Sequence, residues 1–492
     1  MRPATALPRS PVAYRAPARG RGDLLVLAVE AALLTAAVTV GIVLNRRGAG
    51  LHADAAPAYA TWHPHVGWGT PLAVLVAAAV LGPGLRWART ARWGPLLAAG
   101  WLAAVAWTLA LALVDGWSKG LTRRLTPQAE YLHEVPGVTD VPRMLAGFTD
   151  RILDFQPDSW STHTAGHPPG ALLVFVWLDR VGLGGGTAAA LCCVLAGATV
   201  AVWVPVTLRA LGAAEAARAV LPFLVLLPGA VWLGASGDAI FTGVVAAGLA
   251  LLAVRGAVAA LAGGVLLGFA LHLSYGFVLV GALALAVVAL RRDGRRAALL
   301  AGAVGVTAVV VAFVAAGFRW WEGYDRVVER YYQGWAADRP YGYWVWANLA
   351  ALLLSAGPVL GPALRRGLCA ARAGWRSSGS APVAVARPPA RLGGWTAADP
   401  APGSVFGSRV AALAGRVRGL GPTVLLPGAA ALAVLAADLS GMSKAEVERI
   451  WLPFVVWLLV AVAHLPTPAR RWWLVGQALT ALAVNHLLLT VS

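Results

Sequence analysis

Apolar residues in this chain come in long runs separated by short polar intervals, and the runs predict the elements. They lie near 23–44, 70–85 and 94–114, then 186–208, 216–235, 238–254, 257–273, 274–291, 297–317 and 343–364, and finally 421–439, 449–465 and 471–491. Most approach the roughly 20 residues a helix needs to cross a hydrocarbon core, so the pattern predicts an all-α polytopic membrane protein of about 13 transmembrane helices. The run 169–183 is not counted. It is short, holds Asp179 and Arg180 and ends at Gly184-Gly185-Gly186, which predicts a re-entrant or interfacial helix. Between 114 and 186 the chain turns polar, but Leu145, Phe148, Ile152 and Phe155 recur at helical spacing. That spacing predicts an amphipathic helix, lying on the membrane surface or packed on other loop elements.

Composition removes the soluble alternative: 59% of residues are hydrophobic and 13% charged, too few charges to cover a water-facing surface. The net charge of +18 changes the picture only through its placement, because the arginines fall in short clusters between apolar runs, as cytoplasmic loops do. No nucleic-acid partner is expected on that ground. Residues 1–22 hold five arginines and no acid, and 365–420 hold nine arginines and the single acid Asp399 among Pro, Gly, Ala and Ser. Both are expected to be disordered and cytoplasmic, the linker serving as an orientation signal or lying on anionic lipid. The first run is longer than the core of a cleaved signal peptide and is read as an uncleaved span. The expected organisation is a basic tail 1–22, three spans in 23–114, an external loop 115–185, a membrane core 186–364, the linker, and spans in 421–492. It is a multi-pass cell-membrane protein with its N-terminus inside. Cys192, Cys193 and Cys369 have neither disulfide nor zinc spacing, and no internal repeat is found.

Candidate chemistry collects on the side opposite the arginine clusters. The loop 115–170 is nearly balanced, with seven acids, five bases and three histidines, and ends in Thr162-His163-Thr164-Ala165-Gly166-His167-Pro168-Pro169-Gly170. Pro168-Pro169 rigidifies the backbone before an apolar helix and holds His167 at its mouth, as a site residue or as a local cap. Asp238 stands at the next hairpin on this side, where it either caps a helix or serves a site. His272, Ser274 and Tyr275 stand at another. The stretch 319–341 is dense in aromatics and arginines, which suit membrane anchoring, sugar stacking or a lipid phosphate. Lys444 and Arg449 are positive where loops of this side are not, which asks for an anionic partner: a lipid phosphate, or for Arg449 an ion pair with Glu446 or Glu448.

The order of these features, an acidic loop ending in His-Pro-Pro, Asp238 at a hairpin, Ser274-Tyr275-Gly276, and Arg449 before Ile450-Trp451-Leu452-Pro453-Phe454, resembles the GT-C superfamily of membrane glycosyltransferases. The likeness is to bacterial relatives of protein mannosyltransferases and aminoarabinose transferases, and covers about residues 115–465. It implies a GT-C-like fold and transfer of a sugar from a polyprenyl-phosphate donor to an extracytoplasmic acceptor, a cell-envelope glycan, lipid or protein. The carried-over roles are Glu130 or Asp115 as the catalytic carboxylate, and His163, His167, Asp238, Tyr275, Lys444 and Arg449 in substrate binding, with Arg449 meeting the donor phosphate. The family's Asp-Glu pair is missing from the loop. No cofactor is called for, and a divalent metal is left open. A polytopic transporter or lipid flippase is the competing class, and would line a path near the bilayer midplane with the same charges.

Overall fold

A computed structural model describes residues 20–234, 236–379, 413 and 415–490. The tail to residue 19 and the linker from 380 to 412, both expected to be disordered, lie outside the described residues. The protein is an all-α membrane protein with one small sheet. Among the described residues, six helices are long and apolar enough to cross a membrane: Arg21–Arg46, Gly69–Thr90, Trp93–Ala112, Gly185–Ala210, Arg295–Ala315 and Pro422–Leu439. Gly237–Ala253, Ala257–Leu271, Tyr275–Leu290 and Leu452–His464 are apolar but shorter. The count by length is therefore six, and it becomes seven if the bent pair at residues 341–376 is one span.

The remaining predicted runs are helical but interrupted, for local reasons. The run 343–364 turns through 98° between Tyr341–Ala356 and the helix beginning at Leu360. Gly357 there has φ 81°, and Pro358 follows it. The second helix extends to Gly379, so residues 365–379 are helical where a disordered linker was expected. Both oxygens of Asp23 hold it, one on Arg365 at 2.6 Å and one on Arg366 at 2.5 Å. The run 216–235 breaks near Pro228, after Ala214–Val225. The last run ends as a strand, Leu488–Thr490, antiparallel to Ala60–Trp62 with Ala60 opposite Thr490. The expected amphipathic helix is also broken: Val141–Ala146 is helical, Thr149–Arg151 is a 3-10 turn, and Gly147 lies between. Leu145, Phe148 and Ile152 are buried, whereas Phe155 has a left-handed backbone and is 83% exposed.

Close packing centres on Gly237–Ala253, which is buried along nearly its whole length. Beside it, Ala257–Leu271 and Arg295–Ala315 meet backbone to backbone: a Cβ on Gly264 would sit 2.1 Å from the Gly302 carbonyl oxygen. Small residues permit the approach that apolar attraction cannot supply inside lipid.

The connections sort into two ends. At one, Arg218 donates to the carbonyls of Ala88 and Ala91, Arg470 to those of Ala463 and Leu465, and Arg255 pairs with Asp293. At the other, the 51–65 loop, the 115–169 loop, the turn before Gly237, the 319–340 stretch, the 440–451 turn and the C-terminal strand come together through the contacts described next.

Candidate functional site

Arg449 is the centre of the polar end. It lies in the short helix Val447–Ile450, just before Pro453 opens the apolar helix Leu452–Leu458, and it is 7% exposed. A buried guanidinium requires counter-charge and hydrogen-bond acceptors. Nη1 donates to Asp238 Oδ2 at 2.9 Å, and Nη2 donates to Glu446 Oε2 at 2.6 Å and to His163 Nε2 at 3.0 Å. Nε is buried without a partner. A guanidinium can only donate, so His163 Nε2 accepts and the ring proton sits on Nδ1. Nδ1 faces Glu130 Oε1 at 2.8 Å. Three acids from three separate segments, Glu130, Asp238 and Glu446, thus surround one arginine and one imidazole.

Local structure explains each placement. Asp238 is in the first turn of Gly237–Ala253, where an acid also complements the helix dipole. Glu130 precedes the 3-10 turn Tyr131–His133. His163 is in the helix Thr162–Gly166, tied to the Glu130 segment by the His163 N–H to Ala129 carbonyl bond at 2.9 Å. His167 lies beside the cluster, between the rings of Tyr131 and Phe241. Its Nδ1 is 2.8 Å from the His163 carbonyl and 2.9 Å from the Tyr131 hydroxyl. The carbonyl can only accept, so Nδ1 carries the proton.

Electrostatics follow from burial and these contacts. Burial alone would press Arg449 toward neutrality, but Glu446, Asp238 and Glu130 together raise it above the ordinary arginine value. Burial acts upward on Glu446, yet the charges of Arg449 and Arg339 prevail and hold it below the usual carboxylate range. Burial lowers His167, which is a neutral imidazole near pH 7. Burial, then the charges of Asp238 and Glu130, push the Tyr131 hydroxyl well up.

Of the residues expected at the site, Glu130, His163, Asp238 and Arg449 are brought into one network, with His167 adjoining it. The others stand apart. Asp115, the second candidate base, has His65 Nε2 at 2.7 Å on one oxygen and Arg124 at 3.2 Å on the other, and Arg124 also binds Thr490. It fastens the C-terminal strand to the 115–124 turn, and no contact among the described residues links it to Glu130 or Arg449. The Lys444 ammonium is taken by the Ala336 carbonyl at 2.8 Å and lies over the Tyr332 ring. Tyr275 packs between Trp320 and Tyr324 with its hydroxyl buried and unpartnered. Glu448, weighed as an ion-pair partner of Arg449, instead accepts the Tyr59 N–H at 2.7 Å. The sequence points to Glu446 only as such a partner and to Arg339 only as one of the arginines of the 319–341 stretch, and it assigns Tyr131 no role. Among the described residues, no group of three or more His, Cys, Asp or Glu is placed to hold a metal ion. No family model, curated protein or solved structure matches the chain.

Proposed function

We propose that this protein is a multi-pass cell-membrane glycosyltransferase of the GT-C type, with about 13 crossings and a cytoplasmic N-terminus, consistent with the arginine distribution. It moves a sugar from a polyprenyl-phosphate donor to an extracytoplasmic acceptor. The observation that carries this reading is the convergence of Glu130, Asp238, Glu446 and His163 on Arg449 at the end of the bundle away from the arginine-capped loops. Transfer from a lipid phosphate needs a base for the acceptor hydroxyl and positive charge near the leaving phosphate, while the anomeric carbon passes through an oxocarbenium-like state. Carboxylates and an arginine within one network supply both. We assign contact with the phosphate to Arg449, next to apolar Leu452 to Phe454, with Nε as its one guanidinium nitrogen without a partner.

The test is an assay in membrane vesicles with radiolabelled polyprenyl-phosphate hexose and pentose. Labelled glycan, lipid or protein should form, and Glu130→Gln should lower its yield. Vesicles holding the parent chain that label nothing beyond vesicles lacking it would overturn the reading. One observation favours the transporter alternative: Glu30, inside Arg21–Arg46, is 9% exposed, with Oε1 accepting the Gly361 N–H at 2.6 Å and Oε2 unpartnered. An ionisable group within an apolar membrane-crossing helix is a mark of transport paths in membrane proteins. Ion or lipid flux lost in Glu30→Gln, without any sugar transfer by the parent, would decide for that class.

A further inference from the structure

The turn before Arg449 is held in a costly conformation. Ala445 and Glu446 both have left-handed backbones, φ 70° and 64°, although neither is glycine. Four side chains impose it. Asn348 donates to the Ser443 carbonyl at 2.7 Å and accepts the Ala445 N–H at 3.3 Å, so both ends of its amide are used. Arg339 donates to the Lys444 carbonyl at 2.7 Å, the Tyr331 hydroxyl accepts the Lys444 N–H at 2.9 Å, and the Lys444 ammonium ties back to Ala336. Backbone strain over-determined in this way recurs at functional sites, because it aims a side chain that a relaxed turn would point elsewhere.

The side chain aimed here is Glu446. Its Oε2 is on Arg449 at 2.6 Å, and Oε1 lies 3.6 Å from Arg339. It is also the acid of the cluster with an open side: its side chain is 25% exposed, against 5% for Glu130 and 6% for Asp238. A general base has to reach the proton it removes, and a buried Glu130 backed by an imidazole does not offer that reach.

We propose that Glu446 is the carboxylate that meets the acceptor hydroxyl, and that Glu130 is a positioning residue acting through His163 and Arg449. The proposal rests on the glycosyl-transfer reading above. In the step, the hydroxyl proton passes to Glu446 Oε1 and the acceptor oxygen bonds to the anomeric carbon. The bond from that carbon to the phosphate oxygen breaks, its electron pair leaves with the phosphate, and Glu446 later returns the proton to water. Arg449 and Arg339 keep Glu446 ionised for the next turnover, and Glu130 fixes the His163 ring so that its Nε2 faces Arg449.

The experiment pairs chemical rescue with access. Glu446→Gln should lower turnover about 100- to 10,000-fold, the usual loss for a missing base. Glu446→Gly should recover part of its turnover when formate is added, and Glu130→Gly should not. A water-soluble maleimide should label Glu446→Cys but neither Glu130→Cys nor Asp238→Cys, in a background with the three native cysteines changed to alanine. Formate rescue confined to Glu130→Gly, parent-like turnover by Glu446→Gln, or a Glu446→Cys closed to maleimide would each overturn the assignment. A parent chain that transfers no sugar overturns the reading beneath it, an outcome distinct from loss of the assignment alone.

Discussion

Glu448 sits two residues from the proposed base and carries a pH dependence that can be worked through. It is 1% exposed, Oε1 accepts the Tyr59 N–H, and Oε2 meets no partner. Burial first, and then the charge of Glu446, lift its carboxyl from 4.5 to about 7, against the lowering pull of backbone N–H groups and Arg449. The folded value is above the unfolded one, so the fold holds this proton more tightly than the unfolded chain does. The stabilisation is complete below about 4.5 and is lost as pH rises through about 7. The gap, at about 1.4 kcal/mol per pH unit, is on the order of 3 kcal/mol. Thermal unfolding of the detergent-solubilised parent should therefore show lower stability near pH 8 than near pH 5. In Glu448→Gln, which cannot ionise, this component should vanish, and the difference between the two profiles removes the titration of distant groups. Profiles that move in parallel would mean Glu448 is already ionised at pH 5, and would refute the argument from burial.

Three further outcomes are expected. Arg449→Lys keeps one charge but cannot reach Asp238, Glu446 and His163 together, and should raise the KM for lipid-linked sugar more than that for acceptor; equal weakening with a lowered Tm would leave Arg449 as a structural ion pair only. Reporters fused at Phe155 and at Asp399 should report opposite sides of the membrane, external and cytoplasmic, and an external signal at Asp399 would overturn the topology. Gly264→Val places a side chain where a Cβ alone would lie 2.1 Å from the Gly302 carbonyl, and overpacking of this kind costs about 1–3 kcal/mol; an unchanged melting temperature would show that the two helices separate freely.

What was legible in the sequence follows from the range of each signal. Apolar runs act locally, and the helices stand where the runs are. The bend after Ala356 was written in Gly357-Pro358, but the run stays apolar on both sides, and hydropathy alone reads straight through it. Strand Leu488–Thr490 has no local signal, because its partner Ala60–Trp62 is at the far end of the chain. The acids pose the same problem in sharper form. Asp115 and Glu130 look alike in sequence, each an acid in one polar loop. Contacts with His65 and Arg124 assign the first to the C-terminal strand, and His163 assigns the second to Arg449. Glu446 is harder still, since a left-handed turn at Ala-Glu is imposed from Asn348, Arg339 and Tyr331 rather than signalled by glycine or asparagine. Desolvation links these cases. A guanidinium 7% exposed cannot stay charged without acids at hydrogen-bond distance, so burying Arg449 obliges segments far apart in sequence to deliver Asp238, Glu446 and, through His163, Glu130 to one point. The members of such a site can be named from residue type and position at the ends of spans, but their assembly is a property of the buried cation, and becomes visible only once its depth is known.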